Sequence, residues 1–249
     1  MMRSLFSMLA VFAIIATPLV AKADAEIDAI LEKAIKAHGG ADKLDKERAS
    51  QSRAKGTLDV NGMTLEITQE SITFKGKFKE TVSFSVGGTD VTVIAGFDGK
   101  DGFVKANGMD VPLTDEIKKE LNEASHLMTI LKPTVLKDKK LVELKSLGEI
   151  KFDTKKLFGV KVTSKDRRDC EVYFDTQTGL ITRIHRTVFD MSQNKEVPEE
   201  RIITEYSDVD GIKVAKKILI NRDGKKHTEL EVQEAKFLDK VEDSTFEKP

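Results

Sequence analysis

The sequence is poor in the residue types that commonly build carbohydrate sites and disulfide frameworks. It lacks tryptophan, and its only tyrosines in 249 residues are Tyr173 and Tyr206. Because sugar-binding platforms usually rely on such rings, a carbohydrate ligand is disfavoured. Cys170 is the only cysteine, so the chain can form no internal disulfide. We expect Cys170 to be a buried and inert thiol.

The sequence also lacks an excess of either charge. It has 41 basic and 42 acidic residues, which gives a formal net charge of −1 at pH 7. Both signs are interspersed along the chain, whereas a nucleic-acid-binding surface needs clustered positive charge. We therefore expect no nucleic-acid partner.

Sequence motifs for catalysis and metal binding are missing as well. The chain has no Gly-x-Ser-x-Gly nucleophile elbow and no phosphate-binding glycine motif. The acidic turns at residues 98–102 and 208–211 do not fit the ligand spacing of a calcium loop. No metal-ligand spacing joins any two of the four histidines, which are His38, His126, His185 and His227. We expect no metal, no cofactor and no enzymatic activity; an enzyme would need a cluster of titratable side chains that periodicity does not reveal.

Residues 1–23 have the three parts of a secretory signal peptide. Arg3 provides the positive start, an apolar run follows, and Ala21-Lys22-Ala23 is a small-x-small cleavage site. The apolar run is about 16 residues long, shorter than the ~20 that a membrane-spanning helix needs, and no later stretch is long and apolar enough to span. We predict cleavage after Ala23, a mature chain from Asp24, and a periplasmic location. An uncleaved membrane anchor is the alternative.

Two amphipathic helices are predicted. The first opens the mature chain, and its apolar side chains recur at three- and four-residue spacing before the capping glycines Gly39 and Gly40. The second begins after Thr114, a good N-cap, with Asp115 in its first turn, and ends before Pro133. The apolar face of this second helix consists of Ile117, Leu121, Ala124, Leu127, Met128 and Leu131.

The rest of the chain alternates with a period of two, which is typical of strands. Asn61-Gly62 lies between two alternating runs, the strongest short signal for a hairpin, and similar turns recur to the end. We predict about eleven strands, mostly antiparallel, and so large a sheet must curl, split or close. The predicted fold of residues 24–249 is therefore a single α+β, mainly antiparallel domain: a strongly curved, unclosed β-barrel wrapped around two helices.

Glu80 stands out among the predicted strands. It falls in register with Phe78, Val82 and Phe84, so its side chain would point inward, where an unpaired carboxylate is costly. We favour an outward rotation of Glu80 at the barrel rim or at a bulge. The alternative is a polar contact inside a pocket.

Several phrases of the sequence resemble one protein family. The opening helix ends in Ala37-His38-Gly39-Gly40, and a strand meander with one helical interruption follows. The more specific phrases are Val172-Tyr173-Phe174-Asp175-x-x-Thr178-Gly179-Leu180, Glu205-Tyr206-x-x-Val209-Asp210-Gly211-Ile212-Lys213-Val214, Arg222-Asp223-Gly224-Lys225-Lys226 and Phe246-Glu247-Lys248-Pro249. Together they resemble the outer-membrane lipoprotein-sorting superfamily of LolA/LolB-like periplasmic carriers, and secreted relatives of the carriers most of all. The resemblance covers nearly all of the mature chain, but its motifs are hairpin turns, which identify a fold rather than a reaction.

This resemblance implies an apolar hollow that holds acyl chains between a curved sheet and helices on its open side. In the carriers an arginine near the first strands fastens the helical cover. Arg48 and Arg53 lie in that region, but no flanking motif assigns the role to either one.

The leading hypothesis is a periplasmic carrier that holds the acyl chains of a lipid or lipoprotein and meets a membrane-protein donor or acceptor transiently. We predict that the ligand-binding cavity is lined by Phe78, Val82, Phe84, Val93 and Phe97 of the sheet and by Ile117, Leu121, Leu127, Met128 and Leu131 of the second helix. The same side chains would alternatively pack against one another in a dry core. The second hypothesis is a non-enzymatic envelope binding or sensor module that recognises a protein partner without a lipid.

Overall fold

The computed structural model describes residues 18–60 and 62–249, with side chains from Ala23 onward. The predicted signal peptide, residues 1–23, lies mostly outside the described residues, and only its end is included, as the start of the first helix. Three helices are described: α1 (Pro18–Ala37), α2 (Ala41–Leu44) and α3 (Asp115–Ile130). The side chain of Thr114 accepts a hydrogen bond from the backbone N–H of Ile117, so α3 begins with the predicted N-cap.

The described residues form thirteen strands in a single antiparallel sheet. The strands are β1 (Ala49–Val60), β2 (Met63–Phe74), β3 (Lys77–Val86), β4 (Thr89–Phe97), β5 (Gly102–Ala106), β6 (Met109–Asp110), β7 (Glu143–Phe152), β8 (Lys155–Thr163), β9 (Cys170–Asp175), β10 (Ile181–Asp190), β11 (Lys195–Val209), β12 (Ile212–Arg222) and β13 (Lys225–Leu238). The prediction of about eleven strands was too low, since β5 and β6 are too short to establish a period of two. Val60 pairs with Met63 across the predicted first hairpin, whose Asn61 lies outside the described residues.

The order of the strands in the sheet is β6-β5-β4-β3-β2-β1-β13-β12-β11-β10-β9-β8-β7. Each half of the chain is a meander, and the pairing of β1 with β13 joins the two halves. The strands at the two edges, β6 and β7, are unpaired on their outer sides, and α3 lies between them in the sequence. The barrel is therefore open between β6 and β7.

Helix α3 shows how strongly the sheet is curved. It contacts β4 and β5 near one edge and β10 near the other. In a flat sheet β4 and β10 would lie about 34 Å apart at ~4.8 Å per strand, more than a helix diameter of ~10 Å could bridge. The predicted strongly curved, unclosed barrel is confirmed.

Three apolar clusters fill the inner side of the sheet. The first joins α1, the end of α3 and strands β8–β10, with Leu31 and Phe174 fully buried. The second joins the first turns of α3 to β3–β5 through Phe78, Phe97 and Leu121. The third lies on β1–β3 and β13, and within residues 18–60 and 62–249 it contains no helical residue. The helices therefore cover only part of the inner face.

Strands β1 and β13 approach each other closely at Gly56, and this contact allows a test of the pairing that joins the two halves of the chain. A Cβ atom at Gly56 would lie 1.8 Å from the backbone oxygen of Glu229. We expect Gly56→Ala to lower the free energy of unfolding by about 3 kcal/mol or more, because backbone and not a flexible side chain would have to move. Urea unfolding followed by circular dichroism measures this, since the chain has no tryptophan.

Gly224→Ala is the control for this substitution. A Cβ atom at Gly224 meets nothing within 4 Å, although its φ of +72° makes alanine mildly unfavourable. We expect a loss of about 1 kcal/mol there. Equal losses of unfolding free energy in the two variants would contradict the close approach of β1 and β13 at Gly56.

Candidate functional site

The structure distributes the predicted cavity residues over all three clusters. Phe78, Phe97 and Leu121 are buried in the second cluster, with Val93 and Ile117 packed against them. The first cluster contains Leu127 and Leu131, and the third contains Val82 and Phe84. Met128 is 37% exposed. The ten residues do not form one lining, because the first turns of α3 and its end pack against different parts of the sheet.

The third cluster forms an apolar surface that remains partly open to solvent. It consists of Ala54, Leu58, Leu65, Ile67, Val82, Phe84, Leu230 and Val232, and we call it the concave apolar surface. Val82 pairs directly with Val93, which packs against the second cluster, so the surface continues under α3. At its other end Met63 and Val86, which are 48% and 37% exposed, continue the same face of β2 and β3.

Glu80 lies on this inner face, and the prediction of an outward rotation was wrong. No bulge interrupts the pairing of β3 with β2 or β4, so Glu80 keeps the register of Phe78 and Val82. Burial raises the pKa of the Glu80 carboxyl, while the charge of Arg201 and a hydrogen bond from Gln69 act in the opposite direction. Arg201 belongs to β11, far from β3 in strand order, so the two side chains interact across the curved sheet.

A buried carboxylate on β11 organises the charged part of the inner face. Glu199 has a fully buried side chain, and its oxygens accept hydrogen bonds from Arg186 at 2.9 Å, Arg201 at 2.8 Å and Arg222 at 3.0 Å. Burial opposes ionisation, but the charges of Arg201, Arg186 and Arg222 together outweigh it and hold the pKa of Glu199 well below its usual range. Glu199 is therefore ionised across the physiological pH range.

One of these arginines, Arg186, also holds α3 to the sheet, together with Arg168. Glu120 of α3 accepts a hydrogen bond from Arg168 at 2.6 Å and from the backbone N–H of Phe189 at 2.9 Å. Its second oxygen lies 3.4 Å from Arg186, which also binds Glu199. We call Glu120, Arg168, Arg186, Glu199, Arg201 and Arg222 the α3 ionic network. No sequence pattern indicates this network, since charges on strands become partners only through long-range pairing.

The two arginines considered from the family resemblance lie elsewhere. Arg48 forms an ion pair with Asp210 at 3.2 Å, and Arg53 pairs with Glu70 at 3.6 Å. Arg168 and Arg186 are the arginines that hold α3.

An enzyme would need a cluster of titratable side chains. A cluster of this kind lies on the outer face of the sheet. Glu171, His185 and Glu200 are cross-strand neighbours on β9–β11. The ring nitrogens of His185 lie 3.5 Å from Glu171 and 3.2 Å from Glu200, while Tyr173 donates to Glu171 and Arg183 to Glu200. Because each imidazole nitrogen already faces a carboxylate, the group is a cross-strand ladder that stabilises the sheet.

A cleft of about 600 Å³ opens at one end of the barrel, and we call it the mouth cleft. Its walls are α2 and the loop after it, the β2–β3 turn, the second half of α3 and the start of β12. Met128 and Leu131 are the only predicted cavity residues in its lining. Its size is typical of a pocket for one small ligand.

Metal-ligand clusters and membrane-spanning helices are both absent from the described residues. Within residues 18–60 and 62–249, no three His, Cys, Asp or Glu side chains are placed to hold a metal ion. None of the helices in the same part of the chain is long and apolar enough to cross a membrane. Cys170 is buried, and burial raises the pKa of its thiol to about 12.

The fold is shared with solved structures, one of which is a LolA superfamily protein. A LolA superfamily protein from Nitrosomonas europaea superposes with a TM-score of 0.55 at 10% identity, covering 89% of this chain and 97% of that one. A DUF1329 family protein from Desulfovibrio piger gives a TM-score of 0.53 at 14% identity, with the same two coverages of 89% and 97%. An outer membrane lipoprotein-sorting protein domain from Vibrio parahaemolyticus gives 0.48 at 13% identity, covering 88% and 97%.

These similarities concern structure alone. No protein-family model matches the chain, and no curated protein sequence is significantly similar to it. At 10% and 14% identity the superpositions establish the fold. The resemblance to the LolA superfamily that the sequence predicts is confirmed at that level.

The α3 ionic network predicts that loss of one charge will loosen the helix. We expect Glu120→Gln to lower the free energy of unfolding by about 2 kcal/mol, because Arg186 loses a partner in a buried setting. Hydrogen exchange of the amides in residues 115–130 should become faster. Glu116→Gln removes the same charge from an exposed position of α3 and should change exchange little. Equal hydrogen-exchange rates in the Glu120→Gln and Glu116→Gln variants would contradict the prediction that the α3 ionic network holds the helix in place.

The raised pKa of the Glu80 carboxyl leads us to predict an unusual pH dependence of the protein's stability. The folded protein binds the Glu80 proton more tightly than the unfolded chain, so this residue lowers stability as pH rises above its ordinary pKa of 4.5. We expect Glu80→Gln to be more stable than the wild type at pH 7 and equally stable near pH 4, in urea unfolding at both pH values. A variant that is less stable at pH 7 would show that Arg201 outweighs burial.

Proposed function

We propose that the protein is a non-enzymatic periplasmic carrier that binds acyl chains of a lipid or lipoprotein on the concave apolar surface. In this proposal residues 1–23 are a cleaved signal peptide, and residues 24–249 form the mature carrier. A membrane protein would donate or accept the ligand. The observation that carries the proposal is an apolar inner face on which no helix of the described part of the chain packs, with half-buried Val82 and Phe84 on it.

Physical chemistry supports an apolar ligand for this surface. Apolar area removed from water contributes about 25 cal/mol per Å², so an acyl chain lying on these side chains gains free energy without needing a polar partner. Met63 and Val86 extend the surface to the end of the barrel, where a flexible chain would reach it from solvent. The shared fold with a LolA superfamily protein agrees with this assignment.

The direct experiment is lipid extraction from protein purified out of the envelope, followed by mass spectrometry of protein and extract. We expect a bound lipid or acylated peptide in stoichiometric amount. A bare chain that also fails to bind added lipid would contradict the proposal. Capture of a non-lipidated peptide on the same surface would favour the alternative, a module that recognises a protein partner.

A paired substitution tests the location of the site. We expect Val82→Gln with Phe84→Gln to weaken binding of a fluorescent fatty acid by about tenfold or more, because two buried polar groups would face the acyl chain. The control is Thr81→Gln, on the same strand but on the opposite face of the sheet. Titration by fluorescence measures both. Equal affinities of the two variants would place the ligand elsewhere.

A further inference from the structure

We infer that the mouth cleft binds the head group of an anionic amphiphile, a single acyl chain that ends in a phosphate or carboxylate. This inference rests on the proposed function, because it assumes an acylated ligand. It adds that the ligand is negatively charged and that a second part of the protein binds it. The cleft is separate from the concave apolar surface: its lining shares no residue with that cluster.

The charge of the lining is one-sided. Seven of its side chains are basic and one, Glu47, is acidic, although the whole chain has a net charge of only −1. Five of the basic groups form ion pairs, and apart from Glu47 their carboxylate partners lie outside the lining. Lys43 and Lys46 are exposed. The ammonium group of Lys43 lies against the β11–β12 turn at Gly211, where its charge helps to lower the pKa of the Asp208 carboxyl. Lys46 has no such partner among the described residues, so its ammonium group is the one most available to an anion.

The walls of the cleft are held together independently of any ligand. Asp45, after α2, accepts a hydrogen bond from Thr134 at 2.7 Å and lies 3.0 Å from the ammonium group of Lys132. The hydroxyl of Ser125 in α3 donates to the backbone oxygen of Gly76 in the β2–β3 turn. The cleft is therefore a preformed site that a ligand does not need to assemble.

Two buried polar atoms of the lining lack a hydrogen-bond partner in the described part of the chain. They are Nε of Arg48 and Nε2 of His38. Arg48 forms an ion pair with Asp210, and its guanidinium carbon lies 4.6 Å from the centre of the Phe237 ring. These two contacts hold its side chain in place. Nδ1 of His38 donates to the backbone oxygen of Ala34 at 2.9 Å, so Nε2 of the neutral ring is an acceptor. Neither atom is exposed to solvent, so both lie beneath the surface of the cleft, and the basic side chains at that surface are the groups that would meet an anion.

The floor of the cleft is apolar and explains why the ligand would be an amphiphile and not a free anion. Phe74, Met128, Leu131 and Phe237 line it beside the basic side chains. Met128 is 37% exposed on a helix whose other apolar residues are mostly buried. Methionine adapts its shape to flexible apolar ligands, which suits the first methylene groups of an acyl chain.

The test compares ligands that share a dodecyl chain and differ in charge, below the concentration at which they form micelles. Dodecyl phosphate, dodecyl maltoside and inorganic phosphate are titrated into the full protein by calorimetry. We expect dodecyl phosphate to bind about tenfold more tightly than dodecyl maltoside, and inorganic phosphate to bind far more weakly than either. Lys43→Glu with Lys46→Glu should remove the preference for dodecyl phosphate and leave dodecyl maltoside unchanged.

The matched control is Lys145→Glu with Lys151→Glu, which makes the same change in net charge on the exposed face of β7. It should leave all affinities unchanged. Met128→Gln, which adds no charge, should weaken dodecyl phosphate but not inorganic phosphate, because the acyl chain would lie on the cleft floor. Equal affinity for the anionic and uncharged ligands, or equal effects of the two lysine pairs, would overturn the inference while leaving the carrier proposal intact.

Two other outcomes would also overturn it. Tight binding of inorganic phosphate alone would identify the cleft as a site for a free anion. Failure of both dodecyl ligands to bind, in the wild type and in every variant, would remove the carrier proposal together with this inference.

Discussion

The structure depends on one constraint: a single large antiparallel sheet has more inner face than its helices can cover. Helix α1 packs at the β7 edge, and α3 spans the opening between β4–β5 and β10. Among residues 18–60 and 62–249 no helix packs on the inner face of β1–β3 and β13, where several apolar side chains are only half-buried. Soluble proteins rarely leave a contiguous apolar surface of this kind without a partner for it. The apolar ligand proposed above would cover this surface.

Helix α3 is held by different forces on its two sides. Leu121 packs against Phe78 and Phe97 on one side, while Glu120 is bound by Arg168 and Arg186 on the other. Apolar contacts tolerate sliding, whereas hydrogen-bonded ion pairs in a poorly solvated setting require one geometry. The ionic side therefore fixes the position of the helix along the barrel. A buried ionic network is costly to desolvate and often no more stabilising than apolar packing, so positioning is the better account of its role.

Local signals predicted much of the fold. Hairpin turns, the Thr114 cap of α3 and the alternation of the strands are all set by neighbours in sequence, and each is present. The candidate site was harder, because its partners are distant in sequence. Glu80 was assigned outward since no inward partner was visible, yet Arg201 of β11 faces it. Periodicity likewise could not show that Leu121 and Leu127 of one helix face belong to different clusters.

The polarity of the inner face also changes along the strands. The alternating sequence pattern predicts an inner face that is apolar throughout. Near one end lie Val82 and Phe84, and near the other lies Phe78. Between them Glu80 pairs across the sheet with Ser71, which lies beside Ser52 of β1 at 2.9 Å between their hydroxyls. This polar belt interrupts the apolar surface on β1–β3, because an acyl chain crossing it would bury groups that prefer water or a polar partner. On β4 the apolar side chain of Val93 continues the surface towards the second cluster. The proposed acyl chain would therefore extend along β4 beneath α3 and not across Glu80.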